Sequence, residues 1–153
     1  MQKLVSYLKD KNLTIGSVES MTGGLFAARI TSVPGASKVF KGSIVSYSPL
    51  IKENVVGVNE ETIAKYGVVS KQVAYEMAEK GRKVLDVDIC VSITGNAGPT
   101  SEPGEAGVGE LYIGLSTNDG TKVIKKQFSG DREKIREQAL LAMQEEVLIL
   151  ITK

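Results

Sequence analysis

The stretch VDICVSITG, residues 87–95, reads as a nearly continuous apolar run broken only by small or single polar residues, and no other segment constrains the fold as much. A strand with one face in water alternates apolar and polar residues, whereas a nearly continuous apolar run belongs to a strand covered on both faces. In a chain of 153 residues that cover comes from helices on either side of a sheet. The neighbouring segments supply them. LVSYLKDKN (4–12) places Leu4, Val5 and Leu8 on one helical face, LTIGSV (13–18) is a candidate buried strand, and GLFAARI (24–30) has Leu25, Ala28 and Ile30 spaced for a helix packed on a sheet. GSIVSYS (42–48) is a β-branched run, and NEETIAKYG (59–67) is a short helix with Asn59 as its cap and Gly67 as its stop. SKQVAYEMAEKGRKVLD (70–86) is a longer helix capped by Ser70, with Val73, Met77, Ala78, Val84 and Leu85 near one stripe.

After an extended glycine- and proline-rich loop, NAGPTSEPGEAG (96–107), the order changes from alternation to a hairpin: VGELYIGLST, a turn signalled by Asp119-Gly120, and KVIKKQFS. A terminal helix follows over 130–150, with Ile135, Ala139, Met143, Val147 and Leu150 on its buried side. The expectation is an α/β protein, a three-layer α/β/α sandwich with a mixed, mostly parallel sheet, forming a single domain over residues 1–153. The apolar end of the last helix, EEVLILITK, would be costly to leave in water and points to a subunit contact or to extra core.

Several kinds of chemistry are excluded by what the chain lacks. There is no histidine, so neither a Ser-His-Asp nor a Cys-His site can be built within one chain, and a zinc or iron centre is disfavoured. The single cysteine, Cys90, excludes an internal disulfide framework and lies in the apolar strand, where a small buried hydrophobe is the simpler reading. Nineteen basic residues against eighteen acidic ones leave a net charge of +1, with no basic tail to attract nucleic acid or a membrane surface. No segment is apolar for long enough to span a bilayer, and the polar start MQKLVSYLKDK does not resemble a signal peptide, so a cytoplasmic protein is expected.

Acid–base work must therefore fall to carboxylates, lysine or tyrosine. Two small, glycine-rich segments follow predicted strands: ESMTGG, with Ser20, Thr22, Gly23 and Gly24, and TGNAGP, with Thr94, Gly95 and Asn96. Loops at the carboxyl ends of strands are where α/β sheets gather ligands, and a helix starting at Gly23 or Gly24 would aim its positive end there. The plainer alternative is that Ser20 or Thr22 only caps a helix. In VSYSPLIK, Tyr47 and Ser48 end a strand and Lys52 lies on the turn beyond. A lysine kept neutral by burial could activate a serine, although most lysines are solvated at the surface.

The segment VESMTGGLFAARITSVPGASKVFKGSIVSYSPLIKENVVGV, continued by VSITGNAGP, VGELYIGL and FSGDREKIREQAL, resembles the nicotinamide-mononucleotide amidohydrolases (PncC), a domain also found at the C-terminus of the competence-damage protein CinA. The resemblance covers nearly the whole chain in one order. It implies metal- and cofactor-independent hydrolysis of the carboxamide of nicotinamide mononucleotide, a small nucleotide, to nicotinic acid mononucleotide and ammonia. It implies Ser20 as nucleophile, Lys52 as its base and Tyr47 as a residue that positions or relays the proton. Thr22, Gly23, Gly24, Ser48, Thr94, Gly95, Asn96 and Arg132 are the implied substrate-binding residues, with backbone N–H groups near Gly23, Gly24 and Gly95 available to an oxyanion or phosphate. Glu19 is expected to orient Lys52 or Thr22, or to serve as a structural hydrogen-bonding group, and Asp131 to cap the last helix. A homo-oligomer is also implied.

The match departs from the family pattern at three places. Met21 stands where cysteine is common, which makes that position a packing neighbour. Pro49, Leu50 and Ile51 replace a polar run between Tyr47 and Lys52, and Pro49 restricts how that turn can start a helix. Ala106-Gly107 replaces lysine-proline before the hairpin, removing a positive charge that would face a substrate phosphate. These departures motivate a second reading: a nucleotide-binding or interaction module with lost or altered amidase activity.

Overall fold

The computed structural model describes residues 1–153. Five strands form one sheet in the order β2-β1-β3-β4-β5: β1 Ile15–Glu19, β2 Phe40–Val45, β3 Ile89–Gly95, β4 Glu110–Thr117 and β5 Gly120–Gln127. β1 pairs in parallel with both β2 and β3, and β4 runs antiparallel between β3 and β5. Four strands thus share one direction and β4 alone opposes them. Helices α1 (Gln2–Asp10), α2 (Leu25–Thr31) and α6 (Arg132–Thr152) cover one face, and α5 (Lys71–Leu85) covers the other with α4 (Glu60–Tyr66) beside it. This is the expected three-layer sandwich.

β3 is buried along six of its seven residues, as its mostly apolar sequence requires, and the two polar residues within it, Ser92 and Thr94, are buried as well. On one side Val91 and Ile93 join Leu4, Phe26, Leu140 and Met143 in the larger core; on the other Cys90 packs with Val18, Val73 and Met77. Burial pushes the Cys90 thiol up to about 12, so it is a packed hydrophobe without thiolate character. α5 approaches the sheet closely because glycine lies at the contact. A β-carbon on Gly81 would overlap Val18 Cγ2 and press on Cys90 Sγ. Gly81→Ala is therefore expected to destabilise the fold by about 1–3 kcal/mol despite alanine's better helix propensity. Chemical denaturation measures this, and an unchanged or raised midpoint would show that α5 can shift to make room.

Several local expectations are revised by tertiary context. The hairpin turn is Asn118-Asp119, since Thr117 pairs with Gly120. Asn59 occupies the cap position of α4, but its side-chain amide donates to Glu76 on α5 rather than to its own helix. Val84 is exposed at the end of α5, and Ala28 is exposed on α2, where Phe26 and Ile30 are the buried residues. In the last helix Ile151 is fully buried whereas Leu150 is only partly so; with Val147 and Leu148 they extend the core under α1 and α2. The apolar C-terminal turns are thus largely core. Pro49, expected to hinder a helix start, occupies the first position of a short helix, α3 (Pro49–Ile51), behind the capping Ser48. Proline is well suited there, because its fixed φ is helical and its missing N–H would have had no partner. α3 runs into a π-helical turn, Lys52–Val56.

Candidate active site

The chain leaves β1 through α2 on one face to reach β2, then crosses by α5 on the other face to reach β3. The carboxyl ends of β1 and β3 therefore lie side by side while their connections diverge, which is the crevice where open α/β sheets hold ligands. A cavity of about 810 Å³ opens there. Ser20, the residue after β1, lines it, as do Tyr47 and Lys52 after β2 and Thr94, Gly95 and Asn96 at the end of β3. Its volume lies in the range usual for small-molecule sites.

Lys52 is 1% exposed, and its Nζ donates to Ser20 Oγ at 2.9 Å and to the Ser46 carbonyl. No carboxylate forms an ion pair with it. Burial without a counter-charge disfavours the ammonium and lowers the Lys52 pKa from its ordinary value to about 8. The short link after β2 and α3 lead directly to Lys52, and the carbonyl of Ser46, the residue after β2, holds its amine. Ser20 is 9% exposed, and its own N–H is fixed by the Ile93 carbonyl on β3. A hydroxyl facing the cavity thus meets an amine that can exist neutral near physiological pH, which is the arrangement of an activated serine.

The family model of the CinA C-terminal domain matches residues 1–150. The chain belongs to the CinA C-terminal domain family. A relative from Thermoanaerobacter sp., named for competence damage, is 49% identical over 142 residues, covering 92% of this chain and 34% of that protein. The CinA-like protein of Kosmotoga olearia is 46% identical over 138 residues, 90% of this chain and 34% of that protein. The chain spans about a third of the length of these curated relatives. Among solved structures, a competence or damage-inducible protein from Enterobacter asburiae superposes with a TM-score of 0.94 at 28% identity, covering 97% of this chain and 94% of that one. The competence/damage inducible protein CihA from Agrobacterium tumefaciens gives a TM-score of 0.90 at 28% identity, covering 99% and 92%.

Not every residue singled out in the CinA-type sequence motifs reaches the cavity. The side chain of Glu19, entirely buried, accepts hydrogen bonds from Thr22 Oγ1 and from the N–H groups of Phe26 and Ala27 in the first turn of α2. The positive end of α2 is thereby engaged by a carboxylate of the protein itself, and Gly23 N–H is donated to the Ser20 carbonyl. This corrects the expectation of donors for a phosphate or oxyanion at Gly23 and the first turn of α2, where the N–H groups of Gly23, Leu25, Phe26 and Ala27 are engaged within the chain. Thr22, Gly23, Gly24 and Ser48 do not line the cavity. The two glycines instead allow the left-handed turn, with φ of 60° and 99°, and Ser48 Oγ caps α3 by accepting from Ile51 N–H. Glu19 forms no hydrogen bond or ion pair with Lys52; it ties the turn to the sheet through Ser43, whose hydroxyl also bonds to it.

Thr94 and Asn96 line the cavity but hold structure. Thr94 Oγ1 donates to the Val68 carbonyl between α4 and α5, and the Asn96 amide donates to the Thr100 and Ala106 carbonyls while its oxygen accepts from Gly98 N–H. Tyr47 is 61% exposed at the cavity mouth, its hydroxyl accepting from Arg132 at 2.9 Å. The structure thus joins Tyr47 to Arg132, and Tyr47 makes no hydrogen bond to Ser20 or Lys52. Arg132 also donates to the Gly98 carbonyl, while Asp131 caps α6 by accepting from Lys134 N–H, as expected.

Three features escaped sequence reasoning. Arg136 bonds the carbonyls of Met21 and Thr22, and its spacing of four from Arg132 was the available signal. The role of the Ser46 carbonyl left none, since any residue offers one. The Ser46 hydroxyl is buried without a hydrogen-bond partner.

Proposed function

We propose that the chain hydrolyses the carboxamide of nicotinamide mononucleotide to nicotinic acid mononucleotide and ammonia. The observation that carries this reading is the buried Lys52 amine 2.9 Å from Ser20 Oγ, both residues lining a cavity of about 810 Å³. The substrate comes from the resemblance of the motifs around Ser20 and Lys52 to the amidohydrolases.

Neutral Lys52 takes the Ser20 proton as Oγ adds to the amide carbon. The tetrahedral adduct collapses with cleavage of the C–N bond, and the proton held on Lys52 passes to the departing nitrogen, which leaves as ammonia. Water then attacks the acyl-serine, giving its proton to Lys52, and the ester C–O bond breaks to release the acid and return the proton to Ser20. Nucleophile and base both come from the chain, so the steps require no cofactor. A small nucleotide as ligand and a homo-oligomeric, cytoplasmic enzyme belong to the same reading.

The test is ammonia release from nicotinamide mononucleotide as a function of pH. Lys52 acts as base only when neutral, about a tenth of molecules at pH 7 for a pKa of about 8. The rate is expected to rise roughly tenfold per unit at low pH and to level off above pH 8 to 9. A flat profile would remove Lys52 from the mechanism. Nucleotide binding without turnover would favour the second reading, a binding module.

A further inference from the structure

Arg136 grips the turn that follows Ser20 from the side of α6. Its Nε donates to the Met21 carbonyl at 3.0 Å and one terminal nitrogen donates to the Thr22 carbonyl, also at 3.0 Å. The planar guanidinium fork suits two successive carbonyls as no other side chain does. The turn needs such a hold, because the two residues after Thr22 are glycines in left-handed conformations, which by themselves restrict the backbone little.

A trans peptide is planar, so fixing a carbonyl also fixes the N–H on the other side of the same unit. Holding the Met21 carbonyl directs Thr22 N–H; holding the Thr22 carbonyl directs Gly23 N–H, which meets the Ser20 carbonyl at 3.0 Å. Neither Met21 N–H nor Thr22 N–H has an acceptor within the chain. Donors immediately after a nucleophile on a strand-to-helix turn are placed to stabilise the oxyanion of acyl transfer. A cationic group on the Met21 carbonyl also polarises that amide and makes its N–H a better donor.

We propose that Arg136 is a positioning residue for hydrolysis: its hold on the Thr22 carbonyl keeps Gly23 N–H on the Ser20 carbonyl, and so keeps the unpaired N–H of Met21, a cavity-lining residue, toward the oxyanion formed when Ser20 attacks. For its chemistry the inference rests on the amidase reading. The side chain of Arg136 touches neither substrate nor Ser20 Oγ and acts only through the turn.

The experiment compares wild type, Arg136→Gln and Arg136→Lys in amide hydrolysis and in phosphonylation of Ser20 by a fluorophosphonate, whose P=O oxygen occupies the oxyanion position. Rates are expressed per reactive serine, so that unfolded protein does not count. For Arg136→Gln, kcat and the phosphonylation rate are expected to fall about tenfold to a hundredfold, with KM changed no more than about twofold. Arg136→Lys keeps the charge but not the fork and is expected to recover only part of the loss. Unchanged rates in Arg136→Gln, or a loss confined to KM, overturn the inference while leaving the amidase reading in place. A wild-type protein inert to both the amide and the fluorophosphonate overturns the amidase reading and with it the catalytic role of the clamp. Hydrogen exchange at Gly23 N–H tests the clamp itself: about tenfold faster exchange in Arg136→Gln is expected, and unchanged exchange shows that Arg136 does not hold the turn.

Discussion

Ser20→Ala and Lys52→Met are each expected to lower amide hydrolysis by at least ~10³-fold, and the double variant to be scarcely worse than either alone. The two groups act as one unit: without the hydroxyl there is nothing to acylate, and without the amine the hydroxyl keeps its proton. Lys52→Arg is expected to be as inactive, because a guanidinium does not deprotonate in the working range. The stability of these variants makes the prediction sharper. Lys52 Nζ is buried with a hydroxyl and a carbonyl for partners and no carboxylate, so its ammonium is poorly compensated. Lys52→Met fills a similar volume without a charge and is expected to match or exceed the wild-type unfolding midpoint. Loss of activity with stability retained would mark a group kept for chemistry. A stable Lys52→Met protein that still hydrolyses the amide would end the serine–lysine mechanism.

The largest stability effect is expected at Glu19. Its carboxylate is fully buried and accepts from Thr22 Oγ1 at 2.7 Å, Phe26 N–H at 3.0 Å, Ala27 N–H at 3.1 Å and Ser43 Oγ at 3.1 Å. Ser17 Oγ lies 2.8 Å from Ser43 Oγ and 3.2 Å from the carboxylate. One hydroxyl has one hydrogen, so the shorter contact carries it and Ser43 passes its own hydrogen to Glu19. The carboxylate's acceptor capacity is then filled by four donors. Glu19→Ala would leave four donors unpaired at the junction of β1, β2 and α2, two of them buried and two partly so, at an expected cost of about 3–5 kcal/mol. Glu19→Gln keeps the shape but turns an amide NH2 toward donors, and about 2–3 kcal/mol is expected. Thermal or chemical unfolding reads both. A change below about 1 kcal/mol in Glu19→Ala would mean that water replaces the carboxylate without penalty.

Glu19 and Ser20 are adjacent in sequence and opposite in use. The strand alternates direction at each residue, so the carboxylate turns into the layer beneath α2 while the hydroxyl turns to the cavity. Neighbouring polar residues in a motif therefore need not share a ligand. Thr22, Gly23 and Gly24 show the same division: their side chains and φ values build the turn, and only its backbone remains available to the site.

Much of the architecture was legible because it depends on local regularities. The mostly apolar run of β3, the capping Ser70 and Asp131, and the stripe on α5 each report a helix or strand from local sequence. Errors came where a partner distant in sequence decided the outcome. Asn59 turned to Glu76, and the buried positions of α2 moved from Ala28 to Phe26.

The absence of histidine and the residues Ser20 and Lys52 were readable from sequence, and they already confined acid–base chemistry to a lysine, a tyrosine or a carboxylate. Whether that lysine could serve as a base was not. Lys52 lies 32 positions beyond Ser20, and only the parallel pairing of β1 with β2, followed by α3, brings the amine within 2.9 Å of the hydroxyl. The same packing strips the amine of water and lowers its pKa to about 8. Residue identity sets which groups can carry a proton; burial and separation, which arise only when the layers close, set whether one of them gives it up at neutral pH.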